Sequence, residues 1–217
     1  MDNHQKENEN ALVISYLLLR KVIGILGFTL PFILSIGAYL ISRTGIQSSL
    51  SSYYHTDMRN VFVGVLCVIG FFLLSYKGYE LSDNIAGTLG CIFAVGVAFV
   101  PTDADALGES GLSFTGYIHL IFAALFFLTL IYFSLVLFTK TDPDKTPTKN
   151  KRKRNTVYKV CGYIMCLCLV LMLIYNVLPD SAQSIFRPHN PTYWLETFAI
   201  LAFGFSWIIK GETIFQD

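Results

Sequence analysis

The chain has 217 residues, 53% hydrophobic and 14% charged, with a formal net charge of +1. A soluble domain is about a quarter charged, so this composition excludes a water-facing surface over most of the chain and makes lipid its solvent. The near-zero net charge excludes the overall basic field that recruits nucleic acid, and a mean hydropathy of +0.54 points to lipid as well.

The opening MDNHQKENEN is polar and lacks both the basic n-region and the cleavage site of a signal peptide. It is expected to remain as a mobile cytoplasmic tail over residues 1–10. Ala11–Leu19 is apolar but too short to span, and Arg20-Lys21 follows it, so it reads as an interfacial lead-in. Val22–Ile41 is a first span with Pro31 as a kink site. Val61–Tyr76 is a short second span, and Ile85–Val100 a third, ended by Pro101. Gly87, Gly90, Ala94 and Ala98 form one stripe of small residues on the third span, the pattern that lets helix backbones approach closely in lipid and that would receive a partner helix. Tyr117–Phe138, Val157–Leu178 and Tyr193–Ile209 complete six spans, with a hydrophilic basic loop over 139–156. The five cysteines lie inside the apolar runs, form no C-x-x-C pair and read as small buried hydrophobes.

The expected fold is all-α: one polytopic domain over residues 1–217, a bundle of six transmembrane helices. With the N-terminus inside, thirteen of the sixteen lysines and arginines face the cytoplasm, and only Arg43, Arg59 and Arg187 lie outside. That asymmetry puts both termini in the cytoplasm. The basic run Lys151–Arg154 then reads as a topology determinant that also meets anionic membrane lipid.

This orientation gathers polar residues at the outer face. Ser51–Asn60 is a polar island carrying Ser51, Tyr54, His55, Asp57 and Arg59. His119 and Glu196 lie just inside spans, Trp194 lies beside Glu196, His189 sits in the last outer loop, and Asp103, Asp105 and Glu109 form an acidic loop. Three imidazoles with nearby carboxylates suit a zinc ion with an open water position, whose bound water is a nucleophile near neutral pH. On that reading His55, His119 and His189 are metal ligands, and Asp57 or Asp103 a general base. The alternatives are structural. His119 bonds Glu196 or a neighbouring carbonyl, and Asp103 caps a helix. Arg59 holds a lipid phosphate or caps the second span, and Glu196, Tyr54 and Trp194 line a binding site.

Ser51-Ser52-Tyr53-Tyr54-His55 contains a Ser-x3-His step beside a span. It resembles the motif of the CREST superfamily of transmembrane hydrolases, which includes the alkaline ceramidases. The resemblance implies a zinc-dependent amidase acting on lipid, with Ser51 and His55 at the positions of the motif's serine and histidine. The family has seven spans against six here, and Ala123 stands where its second histidine would follow His119. The whole chain also resembles six-span bacterial membrane proteins, which implies the inner, cytoplasmic membrane. Three functions are therefore expected in parallel: a metal-dependent intramembrane hydrolase for a lipid or small amphiphile, a binding or transport protein built on the same groups, and a membrane-complex subunit docking through its third span.

Overall fold

The computed structural model describes residues 3–76, 80–103, 112–141 and 146–211, with side chains from Tyr16 onward; the acidic-loop residues Asp105 and Glu109 and the side chain of His4 fall outside them. All regular structure among the described residues is helical. Among the described residues five helices are long and apolar enough to cross a membrane, and a sixth apolar helix, Arg59–Leu74, is shorter.

Helix α1 runs unbroken over Asn3–Ser42. It begins within the stretch expected as a tail, and the lead-in and the first span are one helix. Arginine and lysine are good helix formers, and the Arg20 guanidinium lies 4.2 Å from the Tyr16 ring centre one turn back, so the two bases do not end the helix. Pro31 lies inside it, flanked by hydroxyls that bond back to the backbone, Thr29 to the Ile25 carbonyl and Ser35 to the Pro31 carbonyl, each at 2.7 Å.

A 3₁₀ turn over Ser51–His55 precedes α2 (Arg59–Leu74) and α3 (Leu81–Phe99). Helix α4 (Phe114–Tyr132) ends in a π-turn over Phe133–Leu137. Helix α5 covers Lys149–Val177, so residues 149–156 of the stretch expected as a basic loop are helix, the run Lys151–Arg154 among them. Its start is set by Thr148, whose hydroxyl accepts the Lys151 amide at 3.0 Å as an N-cap. A short helix α6 (Asp180–Phe186) and a 3₁₀ turn (Arg187–His189) occupy the last expected loop before α7 (Pro191–Lys210).

The long helices close into a ring in the order α1, α2, α3, α4, α5, α7 and back to α1. Small residues make the tightest contacts. A Cβ on Gly24 of α1 would stand 2.7 Å from the Gly204 carbonyl of α7. A Cβ on Gly87 would stand 2.5 Å from the Leu73 carbonyl of α2, and one on Gly70 of α2 would stand 3.2 Å from the Ala94 methyl. The small-residue stripe of α3, expected to receive a partner, receives α2 of the same chain. Outward faces carry large exposed apolar residues on every long helix, among them Ile36, Phe71, Ile92, Ile121, Leu167 and Phe198.

One end of the ring is basic. There Tyr76, Phe133, Phe138, Tyr158 and Trp207 pack into an aromatic cluster, Trp207 meeting Phe138 edge-on at 5.0 Å. Lys210 lies 5.3 Å from the Phe138 ring centre, and Lys140 bridges Asp83 at 2.6 Å and Glu80 at 3.0 Å. The other end carries the 3₁₀ turn Ser51–His55.

Candidate functional site

The segment after α1 is tied to α7. The Tyr193 amide donates to the Ser48 carbonyl at 3.1 Å, and the Asn190 side-chain amide donates to the Ile46 carbonyl at 3.2 Å. Hydroxyls stiffen the turn, with Ser52 Oγ 2.9 Å from Ser48 Oγ and 2.8 Å from Ser49 Oγ. The turn thereby lies over the ring and presses Ser51, Ser52 and Tyr53 into the protein. Burial pushes the Tyr53 hydroxyl up to about 12.

Glu196 rises from the first turns of α7 to meet this turn. Its carboxylate is buried, and Oε2 accepts the Leu50 amide at 2.5 Å, with the Ser51 amide also directed at the carboxylate. The first N–H groups of a helical turn have no partner within the turn, and a carboxylate answers both their hydrogen bonds and their partial positive charge. Beneath lies a cavity of about 30 Å³, lined by Leu30, Ser51, Phe62, Val97, Phe126 and Glu196, from five helices and the turn. A space of that size holds a water molecule. Apart from Ser51 and Glu196, its lining is apolar.

The Ser-x3-His step does not assemble a site. Four residues bring two side chains to one face of an α-helix, but a 3₁₀ helix has three residues per turn, so Ser51 and His55 point to different sides. Ser51 is buried against the cavity, and His55 is exposed. His55 Nε2 donates to the Thr102 carbonyl at 2.6 Å. His119, buried in α4, donates from Nδ1 to the Val100 carbonyl at 2.7 Å. A carbonyl only accepts, so these contacts fix the protonated nitrogen of each ring. Both histidines therefore clamp one three-residue segment, Val100-Pro101-Thr102. His119 Nε2 is buried and has no hydrogen-bond partner among the described residues.

The remaining candidates have structural partners. Asp103 accepts from the Ser113 amide at 2.9 Å and from the Ser113 hydroxyl, and that hydroxyl accepts the Gly116 amide at 3.0 Å. Asp103 thus buttresses the N-cap of α4. Asp57 accepts from the Ser42 hydroxyl and fastens the end of α1 to the start of α2. Arg59 donates to the Tyr54 hydroxyl and stacks 4.2 Å from that ring's centre. Trp194 is half exposed and packs on Tyr193 and Phe198. His189 is exposed on its 3₁₀ turn. Among the described residues no three His, Cys, Asp or Glu side chains gather around a point that would hold a metal ion. The zinc set His55, His119 and His189 is therefore not gathered at one point among the described residues. Asp103 has both oxygens on Ser113.

Sequence reasoning did not find the carbonyls of Val100 and Thr102 or the amides of Leu50 and Ser51, because backbone acceptors and donors leave no mark on residue type. The sequence matches no protein-family model and no curated protein, and the fold matches no solved structure.

Proposed function

We propose that the chain is a six-span membrane protein that passes a proton or a small cation through the centre of its helix ring, with Glu196 as the group that binds it on the way. The observation that carries this reading is the buried Glu196 carboxylate at the roof of a small cavity between the helices. Ionisable groups at membrane depth are costly and face the bundle interior where they mark ion paths. The cavity admits a water-sized species and no larger solute. The 3₁₀ turn lies over one end of the ring, and the aromatic cluster around Trp207 lies at the other. The protein is thus read in an occluded state.

Helix α2 is the sixth span. Its 16 residues rise about 24 Å, short of a ~30 Å hydrocarbon core. Yet it starts beside the 3₁₀ turn, and just beyond its end Tyr76 meets Arg20 and Trp207 at the basic end. It therefore traverses the same thickness as its neighbours. The positive-inside rule places the basic end in the cytoplasm and the 3₁₀ turn outside, in the inner membrane of a bacterial cell. Impermeant thiol labelling of Ser184→Cys and not of Thr146→Cys, in a cysteine-free background, is the expected sidedness.

Flux is the test. In proteoliposomes with an imposed potential, an entrapped pH dye or radiolabelled sodium reports transport of the proton or the cation. Wild-type protein is expected to pass one of them at least tenfold faster than empty liposomes, and Glu196→Ala to remove the difference. Equal flux in wild type and variant overturns the reading. The hydrolase expectation draws on the Ser51–His55 step, whose two side chains point apart, and on a zinc set that is not gathered at one point among the described residues.

A further inference from the structure

A second, larger feature lies outside the ring. Along the outward seam of α5 and α7 runs an open groove of about 670 Å³ lined by apolar groups, with Val157, Val160, Ile164 and Leu171 on α5 and Phe198 and Phe205 on α7. From Thr156 to Leu171 the α5 wall rises about 22 Å, more than the ~15 Å of one leaflet. The groove does not end blindly. Arg152 lies one helical turn before Thr156, and Lys153 one turn before Val157, on the stripes that form the wall; both are exposed. An apolar trough therefore opens onto a guanidinium and an ammonium at the basic end.

We infer that this groove is a binding site for one anionic glycerophospholipid, with an acyl chain along the α5–α7 seam and the phosphate held by Arg152 and Lys153. The inference rests on the membrane insertion proposed above, not on transport. Lipid tails are as apolar as the groove walls, so tail contact sets the fit and does not choose the lipid. The choice falls to the headgroup. A guanidinium presents a planar pair of donors to phosphate, and each base near an anionic headgroup adds attraction that zwitterionic lipid does not match. A transmembrane helix is the weaker occupant. Helix pairs in lipid meet through small residues, and this wall is mostly bulky Val, Ile, Leu and Phe.

The test uses the full chain, purified in detergent, stripped of lipid and checked for a single monodisperse species. Native mass spectrometry then follows titration with phosphatidylglycerol or phosphatidylcholine carrying the same chains. Wild-type protein is expected to hold one phosphatidylglycerol about tenfold more tightly than phosphatidylcholine. Arg152→Ala with Lys153→Ala is expected to abolish the preference and leave phosphatidylcholine binding as it was. Ile164→Trp, which fills the trough, is expected to weaken both lipids, and Arg187→Ala at the opposite end to change neither. Equal binding of the two lipids by wild type overturns the inference, as does a preference that survives in the double variant. A dimer that excess phosphatidylglycerol does not dissociate and that Ile164→Trp abolishes assigns the groove to a second copy and overturns it equally. Failure of the chain to partition into membranes would remove the insertion itself, and that result is read separately by carbonate extraction.

Discussion

Glu196 on α7 holds the amide of Leu50, 146 positions earlier in the chain, at 2.5 Å inside the helix ring. This contact joins the last helix to the only described turn that lies over the cavity. Removing the acceptor leaves buried N–H groups of Leu50 and Ser51 without a partner, and each such group costs about 1–3 kcal/mol. Glu196→Ala is therefore expected to lower stability by roughly 2–4 kcal/mol, and Glu196→Gln by less, since its carbonyl still accepts. Thermal unfolding in a mild detergent reads the order wild type, Gln, Ala. Coincident curves for all three would show that the carboxylate does not hold the turn.

The α1–α7 seam makes a sharper demand on side-chain size. A Cβ at Gly204 would lie 2.5 Å from the Phe28 amide nitrogen and 2.7 Å from the Gly24 carbonyl, both backbone atoms that do not swing aside. Gly204→Ala is expected to cost about 1–3 kcal/mol as overpacking. Gly64 on α2 is the matched control, with nothing within 4 Å of its Cβ position. Gly64→Ala is expected to be neutral or to stabilise by about 0.5–1 kcal/mol, the helix-interior difference between the two residues. Equal effects at the two sites would mean that helix propensity, not the seam, decides.

The hydrophobic runs showed where the helices lie because helix length and lipid thickness leave few choices. They did not show where the helices begin. Thr148 caps α5 ahead of Lys149, and the charged turns that follow are helical because lysine and arginine favour helix and only their heads need water. The small-residue stripe Gly87–Ala98 signalled close approach correctly, but one chain's periodicity does not say which helix approaches; Leu73 supplies the neighbour. At the site, residue type identified Glu196 and His119 as costly at membrane depth. Their partners are the Leu50 amide and the Val100 carbonyl, backbone groups common to every residue. The Ser51–His55 step lies on a segment that coils at three residues per turn, which sends its two side chains to different sides.

Lys140 supplies a pH-dependent clasp at the basic end. Its salt bridges run to Asp83 and Glu80 at the start of α3. The Asp83 hydrogen bond raises the Lys140 ammonium above its usual range, and hydrogen bonding to Lys140 holds the Glu80 carboxyl below the usual one. A depressed carboxyl contributes stability above its unfolded value of about 4.3 and loses it as pH falls through the lower folded value. A raised ammonium contributes below its unfolded value of about 10.4 and loses it as pH rises through the higher folded value. The stability difference between wild type and Lys140→Met is therefore expected to be flat from about pH 5 to pH 10 and to shrink on either side. Melting curves across pH in detergent measure it. A difference that grows as the pH drops below 4 would assign the Lys140 contribution to something other than this clasp.

Asp103 separates a structural from a metal-binding loop. Its two oxygens hold the amide and hydroxyl of Ser113, which caps α4 through the Gly116 amide. Loss of a supported cap costs about 0.5–2 kcal/mol, so Asp103→Ala and Ser113→Ala are each expected to destabilise by that order. Because both residues act in one chain of hydrogen bonds, the double variant is expected to cost less than the sum of the single variants. Excess chelator is expected to leave all three melting curves where they were. His55→Ala and His119→Ala release the Thr102 and Val100 carbonyls, and they too are expected to destabilise without any response to chelator or added zinc. A wild-type midpoint that falls with chelator, recovers with zinc and loses this response in the joint His55→Ala, His119→Ala variant would establish a metal site at this loop and displace the capping account.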